Sequence, residues 1–199
     1  MASAAAEVFA ERGFAAASME EIAARAGVTK PMLYAYFDSK EGLFAACAVA
    51  AGARLRERVR TAATHPGLGL DDRLWAGFQE VFAFVDENRD AWQLLYPAGS
   101  LASGSLAAGG AQAREDMAEL LLELLRTAAA EEGISEQALA QLETMAHAVT
   151  GATLAAASWW LEHPDEPRDL AALRLMNLVW MGFGEMVRGR AWLPGTGAT

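Results

Sequence analysis

A short segment near the start of the chain carries side chains suited to contacting an anion. Lys30, Tyr34 and Tyr36 lie within seven residues, and the ammonium and the two phenol groups all donate hydrogen bonds. On a helix, Leu33 and Phe37 share one side and leave the lysine and the tyrosines on the other. Because two tyrosines and a lysine are unusual on a merely solvated face, we expect them to contact a partner.

Catalytic and metal-binding chemistry is not indicated elsewhere. The single cysteine, Cys47, excludes an intramolecular disulfide and a cysteine-rich zinc site, and we expect it to be a small core residue in a reducing, cytoplasmic protein. His65, His147 and His163 are scattered, and no paired carboxylates or nucleophile motif accompany them. We therefore predict no enzymatic activity, no metal and no cofactor.

The elements that position the anion-contacting face are two short helices. Apolar residues recur at spacings of three and four, and β-branched residues are sparse, so the chain is predicted to be all-α. A capping box at 18–21 begins a helix over 19–26, Gly27 ends it, and Thr29 caps a second helix that lasts to residue 37. Two short helices around a tight turn predict a helix-turn-helix, whose second helix enters the DNA major groove.

The whole chain is predicted to form about nine helices in two domains. Residues 1–45 would be the helix-turn-helix domain, and residues 46–199 a larger helical domain for ligand binding and dimerisation. The uncharged, glycine-rich segment 99–110 is expected to be a mobile loop, and Gly13 is expected to end the first helix. The predicted helices are 2–11, 19–26, 29–37, 40–63, 71–87, 88–96, 111–132, 135–162 and 167–190.

Three stretches of the N-terminal region resemble the DNA-binding region of TetR-family transcriptional regulators. They are FAERGF at 9–14, SMEEIAARAGV at 18–28 and LYAYFDSKEGLF at 33–44, in matching order and separation. The resemblance is dense and specific across residues 5–50. The remaining 150 residues resemble the family only in helix count and layout, so the effector is not implied.

The resemblance implies a set of DNA contacts. Ser18 would lie with a helix N-terminus against a phosphate, other residues of the set would face base edges, and the tyrosines would contact phosphates. Lys40 also has an argument of its own, since a cation in the first turn of a helix opposes the helix dipole unless an anion lies nearby. The predicted DNA-contacting residues are Ser18, Thr29, Lys30, Met32, Tyr34, Ala35, Tyr36 and Lys40.

The net charge of −10 is compatible with a DNA partner once it is divided along the chain. Residues 1–60 carry a net charge of +1, whereas residues 61–199 carry −11. The acidity therefore belongs to the region that is not expected to face phosphates.

The second region is rich in aromatic and methionine side chains that suit an apolar ligand cavity. Any one of them is compatible with plain core packing, but together they favour a cavity for a small apolar effector, with Tyr96 and His147 as polar contacts. The predicted lining residues are Trp75, Phe78, Phe82, Trp92, Tyr96, Met117, Met145 and His147.

The last two predicted helices are apolar on two faces, so each needs two partners. One face would meet the core of the chain and the other, rich in small residues, a second subunit in a two-fold four-helix bundle. The alternative is a monomer in which both helices are central. The predicted interface residues are Ala148, Ala152, Ala155, Trp159, Leu173, Asn177, Trp180 and Gly184.

Membrane insertion is not predicted. Residues 144–161 lack formal charge, but they are mostly small and polar, which favours a buried helix. The N-terminus has no basic segment, so we expect no signal peptide. The chain is thus predicted to be a repressor that binds a palindromic operator as a homodimer and is released by a small apolar effector. The alternative is an all-α carrier protein without DNA function.

Overall fold

The computed structural model describes residues 1–89, 92, 96, 105–132 and 142–187. Within these residues the chain forms eight helices and no strand, which confirms the all-α prediction. None of these helices is long and apolar enough to cross a membrane. The helices are α1 (Ala2–Ala16), α2 (Met19–Ala26), α3 (Lys30–Phe37), α4 (Lys40–Ala63), α5 (Leu70–Glu87), α6 (Ser105–Glu132), α7 (Leu142–Leu161) and α8 (Arg168–Val187).

Helix α1 continues past the glycine that was expected to end it. Gly13 has φ 73° and ψ 162°, so the helix is broken there, but helical structure resumes and lasts to Ala16. The reason is a ring contact, because Phe14 packs 5.8 Å from Phe9 and 5.3 Å from Phe44 and so returns the chain to the core. Gly13 therefore bends α1, and the predicted end at residue 11 is wrong.

Helix α2 begins and ends through local interactions that the sequence predicts. The Ser18 hydroxyl accepts a hydrogen bond from Glu21 N at 3.1 Å, and Gly27 ends the helix with φ 67°. The capping-box prediction is wrong for Glu21, because its carboxylate lies 3.4 Å from Arg12 Nε instead of turning back to the helix start. Thr29 occupies the N-cap position of α3, but its side chain makes no capping hydrogen bond.

The first three helices and the start of α4 enclose one hydrophobic core, and we call residues 2–47 the head. Its largest fully buried side chains are Ile22, Leu33, Leu43 and Val8. A second core begins at Ala48 and includes the rest of α4 and helices α5 to α8, which we call the body. Helix α4 belongs to both, and the core changes between Cys47 and Ala48.

The start of α6 corrects the prediction of a loop over 99–110. Residues 105–110 are helical, and Gly109 and Gly110 are buried. A Cβ atom on Gly109 would lie 3.3 Å from the Cβ of Ala48, so this glycine permits close packing of α6 on α4. Residues 99–104 lie outside the described residues.

The remaining predicted helices agree with the structure where it describes them. In the predicted helix 88–96, Trp92 N donates to Asn88 O at 3.0 Å and Tyr96 N to Trp92 O at 2.8 Å, as helical turns require. Residues 135–141 and 188–190 of the last two predictions lie outside the described part of the chain.

Candidate nucleic-acid interface and ligand cavity

Helix α3 presents the outer face that the sequence predicts. Leu33 is fully buried in the head, whereas Met32, Tyr34, Ala35 and Tyr36 are exposed, Tyr36 to 68%. The hydroxyl of Thr29, at the N-cap position of α3, also makes no capping hydrogen bond. The exposed groups are thus available to a partner, and their contacts with DNA remain a prediction.

Three of the four cations of the head, Arg12, Arg25 and Lys30, are paired with carboxylates. Lys30 Nζ bonds to Glu20 and lies 5.8 Å from the ring centre of Tyr34. The hydrogen bond to Lys30 holds the pKa of the Glu20 carboxyl below its ordinary value, and the same bond raises the pKa of Lys30. Arg25 makes a bidentate pair with Glu11 at 2.6 and 2.8 Å. A phosphate must therefore compete with Glu20 for Lys30.

Lys40 has hydrogen-bond partners within the head that were not predicted from the sequence. Its Nζ donates to Ala17 O at 2.7 Å and Ala15 O at 3.2 Å, and lies 4.6 Å from the ring centre of Phe14. These carbonyls lie at the end of α1, where the helix dipole favours a cation. These carbonyls offer Lys40 partners other than an external anion, and its contact with DNA stays a prediction.

An apolar cavity lies in the body between four helices, α4 to α7. The space bounded by the lining is about 650 Å³ with its opening included, but the room left between the side chains is only about 50 Å³. The smaller volume is enough for about three or four water molecules. The lining residues are Leu55, Val59, Ala63, Leu70, Arg73, Leu74, Gly77, Phe78, Val81, Met117, Leu121, Leu124, Leu125, Val149, Thr150, Thr153 and Leu154.

Three polar residues line this cavity, and none of them is among the predicted lining residues. Thr153 Oγ1 donates to Val149 O at 2.8 Å. Arg73 donates to Leu68 O at 3.0 Å and to Glu131 at 2.8 Å. Thr150 Oγ1 is buried without a hydrogen-bond partner. A threonine in a stretch of small residues gives no sequence signal of such a position.

Of the predicted lining residues, Phe78 and Met117 line this cavity and the others do not. Phe82 packs 5.8 Å from Trp160 in the core, and Trp92 Nε1 donates to Ser158 Oγ at 3.1 Å. Tyr96 lies 4.6 Å from the Trp92 ring, and burial raises its pKa to about 12. Their rings are used in core packing. The other three are half-buried or exposed: Trp75, Met145 and His147, the last 3.9 Å from Glu115.

The outer faces of α7 and α8 are apolar and exposed, as the dimer prediction requires. Trp159 is 47% exposed and stacks 4.2 Å from His163, and neighbouring residues missed by the prediction, Leu178 and Met181, are 70% and 74% exposed. The predicted interface residues divide by exposure: Ala148, Ala155, Trp159, Leu173 and Asn177 are exposed, and Ala152 and Trp180 are half-buried. Gly184 lies in α8.

Two arginines of α4 form ion pairs with α5 and α6, which also line the cavity. Arg58 Nε donates to Glu80 at 2.8 Å and its Nη1 to Glu87 at 2.6 Å, both on α5. Arg60 makes a bidentate pair with Glu123 on α6 at 3.1 Å. The helix that carries the head is thus bonded to two helices that line the cavity.

The remaining chemically active groups are occupied or scattered. Cys47 is buried and donates to Ala2 O at 3.3 Å, and burial raises the pKa of its thiol to about 11. A protonated, buried thiol is a poor nucleophile. Among the described residues, no three His, Cys, Asp or Glu side chains group as a metal site.

A helix-turn-helix head joined by one continuous helix to a larger helical body defines the chain as a DNA-binding transcriptional regulator. Residues 2–47 match the family model of bacterial regulatory proteins of the tetR family, and residues 70–182 that of the tetracyclin repressor-like C-terminal domain. The chain belongs to the TetR family.

Two curated relatives support this membership. The chain is 38% identical over 90 residues to the uncharacterized HTH-type transcriptional regulator YdgC of Bacillus subtilis, covering 44% of this chain and only 46% of that protein. It is 28% identical over 185 residues to the HTH-type transcriptional activator FasR of Mycolicibacterium smegmatis, covering 92% and 81% of the two chains.

Solved structures share the fold. A TetR-like transcriptional regulator from Rhodococcus sp. RHA1 is 32% identical with a TM-score of 0.68, covering 92% of this chain and 93% of that one. FadR from Bacillus subtilis, solved with stearoyl-CoA, has a TM-score of 0.73 at 19% identity, covering 96% and 97%. The second likeness is one of fold alone.

Proposed function

We propose that this chain is a cytoplasmic, ligand-responsive repressor that binds a palindromic operator as a homodimer and is released when a small apolar effector enters the body. The observation that carries the proposal is the position of α4. Its first two turns bury Leu43, Phe44 and Cys47 in the head, and its last turns place Leu55 and Val59 in the cavity wall. A change in the shape of the cavity would therefore act directly on α4, the helix that joins the cavity wall to the head.

The size of the cavity supports a coupling of ligand entry to helix movement. The free volume of about 50 Å³ is far below the 300–1,000 Å³ typical of small-molecule sites. A ligand must part the lining helices, and α4 is one of them. Effector would thus favour a conformation in which the two heads no longer match successive major grooves, about 34 to 36 Å apart.

The homodimer is supported by the exposed apolar face of α7 and α8. Small residues such as Ala148 and Ala155 permit close helix approach, and large ones such as Leu173 and Met181 offer apolar area to bury. A two-fold contact through this face would place one head on each half-site.

Activation is the second candidate, because the relative that aligns over most of the chain is described as a transcriptional activator. Deleting the coding sequence separates the two modes. Repression predicts that transcription from the bound promoter rises, whereas activation predicts that it falls.

The direct test is a gel-shift titration of the purified dimer against DNA upstream of its own and neighbouring coding sequences. We expect specific binding, which Tyr36→Ala weakens about ten-fold because each subunit loses a phosphate contact. Val49→Ala removes an exposed apolar side chain outside α3 and should bind as the unmodified protein does. If a confirmed dimer binds none of these fragments at low salt, the repressor proposal is wrong and a carrier without DNA function is favoured.

A further inference from the structure

Two threonines on one face of α7 differ in how their hydroxyls are satisfied. Both are buried and both line the cavity. Thr153 donates back to Val149 O at 2.8 Å, the usual solution for a threonine inside a helix. Thr150, 3% exposed, leaves its Oγ1 without a partner. A buried hydroxyl without a hydrogen bond is costly, so its presence beside a cavity points to a partner that arrives with a ligand.

The surroundings of Thr150 restrict the chemistry of that partner. The lining is otherwise aliphatic or aromatic apart from Thr153 and Arg73. Arg73 does not offer a free charge, because its guanidinium donates to Leu68 O and pairs with Glu131 at 2.8 Å. A carboxylate ligand would have to displace Glu131, whereas a neutral oxygen needs only the Thr150 hydroxyl.

We propose that the effector is an uncharged lipophilic molecule with one hydrogen-bond acceptor oxygen, which accepts from the hydroxyl of Thr150. This inference rests on the proposed function, since it assigns the ligand class of the same cavity. Thr150 is then the residue that distinguishes an oxygen-bearing ligand from a hydrocarbon of the same shape.

The first experiment tests whether the hydroxyl is unpartnered in the free protein. Thr150→Val and Thr153→Val make the same isosteric change on the same helix. Urea unfolding should give a midpoint for Thr150→Val at or above that of the unmodified protein, and a lower midpoint for Thr153→Val. An equal loss in both variants would show that Thr150 already has an internal partner and would overturn the proposal.

The second experiment measures binding of matched ketones and hydrocarbons by calorimetry and thermal shift. The pairs are acetophenone with ethylbenzene, 1-indanone with indane, and 2-octanone with octane. In at least one pair we expect the ketone to bind about three- to ten-fold more tightly, as one net hydrogen bond gives. Thr150→Val should abolish this preference without weakening the hydrocarbon, and Thr127→Val, the same change at an exposed position of α6 outside the lining, should preserve it.

The outcomes separate this proposal from the function on which it rests. Hydrocarbons that bind as tightly as ketones, or a preference that survives Thr150→Val, would overturn the ligand class and leave the cavity as the effector site. Tighter binding of octanoate than of 2-octanone would show that Arg73 opens to an anion and would overturn the uncharged ligand. Failure of every probe to bind a folded dimer would contradict the cavity itself as a ligand site.

Discussion

The longest ion pairs of the body span more of the chain than any ion pair of the head. In the head, the ion pairs of Arg12, Arg25 and Lys30 join residues at most 14 apart in sequence. In the body, the pairs of Arg58 and Arg60 span 22 to 63 residues. The ion pairs of the head are therefore local, whereas those of Arg58 and Arg60 join helices that are distant in the sequence.

The two regions also differ in the polar groups and apolar surfaces that they leave without a partner. The head encloses an apolar core around Leu33 and Ile22. The body contains a cavity with the unpartnered hydroxyl of Thr150 and exposes an apolar face on α7 and α8. This difference teaches that the head closes on its own core, whereas the body has a cavity and an apolar face that the proposed effector and second subunit would fill.

Disrupting the exposed apolar face of α7 and α8 should have the largest effect on DNA binding by the head. Ala155→Arg places a charge at the centre of the proposed two-fold contact. We expect a monomer by analytical ultracentrifugation and a loss of operator affinity of about 100-fold or more, because the two half-sites are then bound separately. Ala130→Arg, on the exposed surface of α6, should remain dimeric and bind normally. A dimeric Ala155→Arg protein would place the interface elsewhere.

A matched pair of core truncations compares the packing of the two regions. Leu33→Ala in the head should lower the free energy of unfolding by about 3 kcal/mol, because the small core has little room to relax. Leu124→Ala beside the cavity should cost about 2 kcal/mol, at the low end of such substitutions, since fewer contacts are lost there. Urea denaturation measures both. An equal or larger loss in Leu124→Ala would contradict the tighter packing of the head.

The same difference explains what the sequence could predict. The helix-turn-helix rests on local signals, such as the Ser18 cap and the left-handed Gly27, and α2 has the predicted bounds. The cavity depends on which helices pack together, and an aromatic residue such as Trp92 looks the same whether it lines a pocket or fills a core. The sequence predicts a loop at Gly109 because the close approach of α4 is visible only in three dimensions.

Removing the ion pairs between α4 and α5 should weaken the body without changing the head. Arg58→Met loses the hydrogen bonds to Glu80 and Glu87 while keeping most of the apolar stem. We expect a loss of about 1 kcal/mol in the free energy of unfolding, since the side chain is partly exposed and solvent screens the pair. Arg54→Met, an exposed position on the same helix, is the control. No difference between the two variants would show that Arg58 does not stabilise the contact of α4 with α5.

Freeing Lys30 from its ion pair should produce the smallest change, and only the affinity for DNA should be affected. Glu20→Gln removes the carboxylate that holds Lys30, so Lys30 becomes free to meet a phosphate or a base edge. We expect operator affinity to rise about two- to five-fold, within the range for an exposed ion pair. Dimerisation and ligand binding should not change, because Glu20 lies in the head.

The matched control for this variant is Glu11→Gln. It raises the net charge of the head equally, but it removes the main partner of Arg25, which keeps Glu21 at 3.9 Å and is not among the predicted contacts. A general gain in attraction to DNA would appear in both variants, whereas a specific role of Lys30 requires a larger gain for Glu20→Gln. Equal gains at several salt concentrations would assign the effect to net charge and remove Lys30 from the contact set. The two variants thus distinguish a specific contact of Lys30 with DNA from the general attraction between DNA and the net charge of the head.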